Sequence, residues 1–465
     1  VNLNATNLVW FRDDLRVADH PALDTAMAAG TTIAVYILDE RSPGIRPLGR
    51  AARWWLHHAL DDLRASLGRL GVPLVLRRGA AANILPELLS ASGARSIYWN
   101  RRYGGPERAV DTHVKELVNA SGGTALSFSG TLLQEPWVPL TQDRKPFKVF
   151  TPFFNALLRL PMRPALVEPP RQEPTGLLSV HSDELADWDL LPSAPDWSPG
   201  LASAWAPGEG PARERLEVVL AEIAANYGDT RDRPDMDGTS RLSPALRWGH
   251  LSPVQVWESL SALIHEHPPA AEGARAMMRQ LAWRDFCWNL LYHHPDMATE
   301  NLRTEFDAFE WAWPSGGVPR GSHEAQVNEA FEAWCRGETG FGLVDAGMKQ
   351  LWETGWMHNR VRMVAASLLV KNLGIHWRVG EQWFWDTLVD ADAASNPANW
   401  QWVAGCGADA SPYFRIFNPE LQAKKFDPRG SYVARFAPVA VSAPIVELKE
   451  SRARALDAYA RMKDH

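Results

Sequence analysis

Along residues 7–130, short apolar runs alternate with stretches of helical periodicity. The runs fall at 8–11, 32–38, 74–77, 96–100 and 125–129, and helix-like patterns lie near 21–29, 50–70, 81–92 and 107–121. Such alternation predicts a parallel sheet covered on both faces. Right-handed crossovers make residues 1–130 a doubly wound, five-stranded α/β domain. Residues 160–212 are rich in Pro, Ser and Gly, so 131–211 reads as a long connector over the surface. From 212 to 465 the apolar spacing is helical, at 212–226, 253–266, 272–294, 323–336, 342–354, 357–373, 380–389 and 398–404, with a further helical stretch at 450–462. No strand pattern interrupts it, and the second domain is expected to be all-helical.

Composition narrows this picture only a little. No apolar run approaches the length of a membrane span, and Val1-Asn2-Leu3-Asn4 lacks the features of a secretory signal. Cys287, Cys335 and Cys406 are far apart, which suits a reducing cytoplasm and cannot supply four thiolates to an iron–sulfur cluster. The formal net charge of −7 does not point to nucleic acid, yet arginines recur over 231–284 and 360–435. They are read either as solvated helix faces or as a local basic patch. The 22 tryptophans outnumber 8 tyrosines, an excess that fits core packing and equally stacking or electron transfer.

The first strand runs into Arg12-Asp13-Asp14-Leu15-Arg16 without a G-x-G-x-x-G turn, so a dinucleotide on the α/β domain is unsupported. Thr239-Ser240-Arg241-Leu242-Ser243 precedes Pro244 and a helix; it reads as an anion site, or simply as Ser243 capping a helix with Pro at its first position. Asn359, Arg362 and Met363 stand at i, i+3 and i+4 and share a face that should point inward. A buried Arg362 needs a counter-charge, and Asp390 and Asp392 are the candidates. No His or further acid stands at ligand spacing, so a metal is not expected there. Asn396-Pro397 reads as a helix cap followed by Pro, with Trp400 one turn on and Trp402 beyond, like one wall of a cofactor pocket.

Seven ordered blocks carry a more specific signal. They are Trp10-Phe11-Arg12-Asp13-Asp14-Leu15-Arg16, the 239–243 segment, Trp283-Arg284-Asp285-Phe286, Thr339-Gly340-Phe341, 356–363, 390–402 and 409–419. Together they resemble the photolyase/cryptochrome family over nearly the whole chain. Trp54-Trp55-Leu56-His57-His58 and the segment 301–309 look most like its class III bacterial group of cyclobutane pyrimidine dimer photolyases.

The resemblance implies an antenna-binding α/β domain, a linker and a helical domain holding FAD, with light-driven repair of pyrimidine dimers in ultraviolet-damaged DNA. Tyr227, Thr239, Ser240, Arg241, Leu242 and Ser243 would hold the flavin's phosphates and ribityl chain. Arg362, Asp390, Ala391, Asp392, Met277 and Asn396 would surround its ring system, with Asn396 near N5. Gln280, Trp283, Asn359, Met363, Asn396 and Trp402 are implicated in the chemistry, Trp283 and Trp402 as walls around the lesion. Arg231, Gln280, Trp283, Arg284, Asn359, Arg360, Arg415 and Gln422 match DNA-facing positions, Arg284 and Asn359 flavin-facing ones as well. Trp400, Trp377 and either Trp311 or Trp313 would carry electrons from the surface. Trp55 and Glu107 are candidates to hold a folate antenna, 5,10-methenyltetrahydrofolate.

Three features depart from the family pattern: Gln280 where dimer photolyases mostly have Glu, Met277 for a frequent aromatic, and a short segment at 436–444. Gln280 keeps a (6-4) photolyase open, which Met363 opposes. A cryptochrome-type photoreceptor is the further alternative, disfavoured by the short stretch after the last helix. The expected setting is a monomer at the nucleoid of a bacterial cytoplasm.

Overall fold

A computed structural model describes residues 6–173, 180–314, 324–410, 414–439 and 443–463. Five strands, β1 (Thr6–Phe11), β2 (Thr31–Leu38), β3 (Leu74–Arg78), β4 (Ser96–Asn100) and β5 (Thr124–Phe128), form one parallel sheet in the order β3-β2-β1-β4-β5. Leu8 pairs with Ile33 on one side of β1 and Ile97 on the other. Because side chains alternate along a strand, Val9 and Phe11 join a core with α1 (Pro21–Ala29) and α2 (Arg50–Arg69). Leu8 and Trp10 point the other way, into a core with α3 (Ala81–Ser92) and α4 (Gly105–Ala120). The doubly wound, five-stranded unit expected from the apolar runs is the one observed.

The stretch read as connector carries structure of its own. Phe150, Phe153, Phe154 and Leu157, at i, i+3, i+4 and i+7, make α5 (Phe150–Leu157) and are buried against the helical part. A short α6 (Pro199–Ala204) follows.

From residue 209 the described chain is helical apart from its turns: α7 (Glu209–Val218), α8 (Tyr227–Thr230), α9 (Ser243–Arg247), α10 (Pro253–Glu266), α11 (Ala271–His293), α12 (Glu324–Arg336), α13 (Gly342–Thr354), α14 (Asn359–Ser367), α15 (Trp377–Thr387), α16 (Ser395–Ala404), α17 (Pro419–Phe426), α18 (Ser431–Phe436) and α19 (Leu448–Lys463). The patterns read as single helices over 212–226 and 357–373 each change to a wider π-turn partway, at Val219–Ile223 and Leu368–Asn372. The helices pack into two apolar cores, one around α5, α10 and α11, the other around α13 to α16. The space between these cores is where the candidate site lies.

Candidate active site

Helix α14 opens with the His358 ring accepting the Arg360 backbone N–H at 3.2 Å through Nδ1. That start sets Asn359, Arg362 and Met363 on one face, and all three line a cavity of about 670 Å³. Gln280, Trp283 and Arg284 of α11 line it as well, as do Asn396, Trp400 and Trp402 of α16. Ser243, Asp390, Ala391, Arg231 and Arg415 complete the part foreseen in the sequence. Residues separated by up to 184 positions therefore share one space, although two of the seven ordered blocks, 10–16 and 339–341, contribute nothing to its lining.

Arg362, part-buried with its side chain 24% exposed, has the acidic partner expected for it. Its Nη2 meets Asp390 Oδ2 at 2.8 Å, and its Nε donates to the Met357 carbonyl at 2.7 Å. Ser243 Oγ donates to the same Oδ2 at 2.6 Å and receives the Trp356 indole N–H at 3.3 Å. The second oxygen, Asp390 Oδ1, is buried without a hydrogen-bond partner among the described residues. Such an acceptor is costly to leave alone, and a donor edge of a bound flavin would satisfy it.

Two helix starts differ from expectation. Ser243 is the first residue of α9 rather than its cap, and its hydroxyl is engaged by Asp390. Asn396 lies inside the first turn of α16, not before it. Asp392 takes the capping work, its Oδ1 accepting the N–H groups of Ala394 and Ser395, the former at 2.8 Å. Asn396 is thereby free to donate both amide protons to Glu381, to its carbonyl at 3.1 Å and its Oε1 at 2.7 Å. Glu381 is buried, and sequence reasoning missed it. The signal was present: an acid among Trp377, Gly380, Phe384 and Thr387 on the buried stripe of α15.

Other foreseen residues stand behind the wall. Tyr227 and Met277 are buried in the apolar core beside α11. The 239–242 segment is held from below, Arg215 donating to the carbonyls of Thr239 at 3.0 Å and Ser240 at 2.8 Å, and Leu242 N–H bonding Ser240 Oγ at 3.3 Å. Arg241 adopts φ 53°, a left-handed conformation that non-glycine residues adopt at a cost, and its guanidinium lies 5.5 Å from the Trp356 ring. Arg284 is turned inward, its Nη1 donating to Thr131 O at 2.8 Å. Arg360 pairs with Asp232 at 2.8 Å, and the buried Gln422 Oε1 has no partner among the described residues.

The walls are built from stacked rings. Trp283 lies on Phe150 of α5, centroids 3.9 Å apart and planes within 9°, so the unforeseen helix braces it. Arg415 is exposed, 6.0 Å from the Trp402 ring, whose indole N–H donates to Asp409 O at 3.1 Å. Among the described residues, Gln280 bonds the Ala276 carbonyl at 3.5 Å. The Ser411-Pro412-Tyr413 part of the 409–419 block lies outside the described residues, as does 440–442 of the short segment.

Trp311 and Trp313 belong to different aromatic paths. Trp311 packs on His376 at 4.8 Å, which packs on the buried Trp377 at 5.4 Å. Trp313 packs on Phe331 at 5.1 Å, next to Trp334, which meets Trp400 at 6.3 Å. In the α/β part, Trp55 is buried and donates to His250 Nε2 at 3.0 Å. Trp55 on α2 and Glu107 in the first turn of α4 lie on opposite faces of the sheet and do not share a site.

Fold and site together define a two-part protein: a doubly wound α/β unit joined to a helical unit with an aromatic-walled cavity around an Arg–Asp pair whose carboxylate is buried. Residues 7–174 match the family model described as DNA photolyase, and residues 277–451 match the FAD binding domain of DNA photolyase. The chain belongs to the photolyase/cryptochrome family. It is 44% identical to the deoxyribodipyrimidine photo-lyase of Agrobacterium fabrum, covering 93% of this chain and 86% of that one. It is 34% identical to cryptochrome-1 of Arabidopsis thaliana, over 93% of this chain and 62% of that protein. The structure of a bacterial class III photolyase from Agrobacterium tumefaciens superposes with a TM-score of 0.92 at 41% identity, covering 99% of this chain and 98% of the other.

Proposed function

We propose that this chain is a deoxyribodipyrimidine photo-lyase that binds FAD in the 670 Å³ cavity and repairs cyclobutane pyrimidine dimers in DNA under blue light. The observation that carries this reading is that one cavity joins the Arg362–Asp390 pair to the Trp283 and Trp402 rings. When bound, the reduced flavin supplies the photo-excited electron that opens the dimer.

The chain's own groups do the rest. Arg362 and Asp390 would hold the bound flavin's ring system, with Ser243 fixing the carboxylate. Asn396 offers its Oδ1 to the cavity because its NH₂ is taken by Glu381. Trp283, braced by Phe150, and Trp402 give a flipped-out dimer two aromatic surfaces. Met363 keeps that space apolar, and the Gln280 amide supplies donors and an acceptor to the pyrimidine edges. Arg231, Arg360 and Arg415 meet phosphates, so a chain of net charge −7 binds DNA through a local patch. Trp400 and Trp377 would carry electrons inward, Trp311 reaching Trp377 through His376 and Trp313 reaching Trp400 through Phe331 and Trp334.

We further infer a folate antenna on the α/β unit, with Glu107 better placed than Trp55, whose indole N–H is already bonded. Mass spectrometry of gently purified protein tests for methenyltetrahydrofolate, and an E107A variant should lose it. No helix of the described residues is long and apolar enough to cross a membrane, and work at the bacterial nucleoid as a monomer follows from the same reading.

The deciding experiment is blue-light repair of oligothymidine carrying cyclobutane dimers, run beside a (6-4) lesion, with flavin fully reduced. Restoration of the dimer substrate in light and not in darkness is expected. Restoration of the (6-4) substrate alone assigns the other lesion, the reading that Gln at position 280 keeps open. Bound flavin with neither repair overturns the enzymatic reading.

A further inference from the structure

The Asn396–Glu381 contact does not end within the helical part. Arg46, in the loop between β2 and α2, reaches across from the α/β part and grips Glu381 with two parallel bonds, Nη1 to Oε1 at 2.8 Å and Nη2 to Oε2 at 3.0 Å. The Glu381 side chain is 2% exposed and that of Arg46 33%. The guanidinium also lies 4.1 Å from the Trp385 ring centroid, and the Trp385 indole N–H donates to Pro47 O at 2.9 Å. Arg50 bonds Asp386 through its backbone N–H at 3.0 Å and its Nε at 2.6 Å, while Gly49 lets this loop press on the backbone of Trp385 and Asp386. The loop is docked along α15, and Glu381 links it to Asn396 in the cavity wall.

We propose that Arg46 is a positioning residue for Asn396, acting through Glu381 to fix which end of the amide faces the flavin. This rests on the reading that FAD occupies the cavity. The carboxylate and the Glu381 carbonyl are both acceptors, so only the Asn396 NH₂ can turn toward them, and Oδ1 is left for the cavity. An oxygen there accepts from a protonated flavin N5 and repels the bare nitrogen of the oxidised ring. Bidentate pairing holds the carboxylate in one orientation, with Oε1 shared between Arg46 and Asn396. Without Arg46 the buried carboxylate loses its counter-charge, and a water or a proton takes its place. The amide can then turn, presenting NH₂ to N5 and favouring the oxidised flavin.

The test is the midpoint potential of bound flavin, measured by spectroelectrochemistry on the full-length holoprotein, with flavin content and thermal midpoint recorded alongside. R46M should lower the preference for reduced flavin about tenfold, which is about 30 mV for a two-electron couple. R46K should recover part of it. R50A loosens the same loop without touching Glu381 or Asn396 and should leave the potential unchanged. In an N396A background, R46M should have no further effect. If R46M loses its flavin, E381Q carries the test, with a shift in the same direction expected. An unchanged potential in R46M and E381Q, or an equal shift from R46M in the N396A background, overturns the proposal. Failure of the parent protein to bind flavin at all overturns instead the reading on which it rests.

Discussion

Trp283 shows how much a single residue's role depends on neighbours the local sequence does not name. Its indole was legible as a stacking surface from the Trp-Arg-Asp-Phe block, but Phe150, 133 positions earlier, holds one face parallel at 3.9 Å. A braced ring meets a base without first losing rotamer freedom. W283A should therefore weaken binding of dimer-containing oligothymidine by about 5- to 150-fold, from the roughly 1–3 kcal/mol that base–aromatic stacking contributes. Affinity for undamaged DNA and flavin content should stay near the parent's. Equal losses on damaged and undamaged DNA would contradict a lesion-facing role. Arg362 and its partner Asp390 were readable because a guanidinium on an inward-facing helix stripe calls for an acid. Asn396 was misread as a cap because an Asn before Pro fits that role equally well. Only the structure shows Asp392 already holding the first free N–H groups of the helix.

Elements were legible where apolar spacing was regular and obscured where prolines crowded the flanks. The five strands begin and end within two residues of the predicted runs. Helix α5 went unseen inside the Pro-rich connector, although Phe150, Phe153, Phe154 and Leu157 carry the full amphipathic spacing. Helix α15 was expected at 380–389 and starts at Trp377, where the His376 ring accepts the Arg378 N–H at 3.1 Å. Its Gly380 shows why it packs so close to α16: a Cβ there would fall inside the ring of Trp400 and against Leu369. Neither neighbour can move, since Trp400 is buried against Phe384 at 4.9 Å and Trp334 at 6.3 Å. G380A should cost about 1–3 kcal/mol by overpacking and lower flavin retention, because the displaced Trp400 lines the cavity. Thermal unfolding and the bound-flavin absorbance check this; a G380A protein with parent stability would mean α15 and α16 slide freely, against the packing seen.

At the scale of the whole molecule, the Arg12–Arg16 block joins the two parts rather than serving chemistry. Arg16, fully buried, donates to the carbonyls of Gly130 at 2.7 Å and Gly249 at 3.0 Å, and Glu209 accepts the Val17 N–H at 2.7 Å. Sequence alone gave no partner for these groups, because each lies more than a hundred positions away. Two titratable residues of the helical part, His250 held by the α/β part and Asp285 holding the connector, have opposite pH responses. His250 accepts from Trp55 and bonds Leu15 O at 3.0 Å, and burial pushes its pKa down to about 4. Asp285 accepts the N–H groups of Leu133 and Gln134 at 2.8 and 3.2 Å, and burial pushes its carboxyl up to about 7 despite Arg284.

The signs follow from which state binds the proton. Between pH 6.5 and 4 the unfolded chain protonates His250 and the folded one does not, so His250 removes stability as pH falls through that window. Between pH 7 and 3.8 the folded state protonates Asp285 and the unfolded chain does not, so Asp285 adds stability as pH falls. Over most of the acid range the two slopes oppose each other, and the parent protein reports their difference summed with every other shifted group, among them the losses from His358 and His376, which burial also holds near 4. Single variants separate the terms. H250Q keeps one acceptor and one donor, and its urea midpoint should rise relative to the parent's on going from pH 7.5 to 4.5. D285N keeps an oxygen for Leu133 and Gln134 and should fall relative to the parent over the same interval. Each variant is compared with the parent at the same pH, so a constant cost of substitution cancels and only the slope is read. Slopes of the same sign in both variants would refute the assignment of opposite charge states to these two buried groups. The double variant should restore a pH profile close to the parent's if the groups titrate independently.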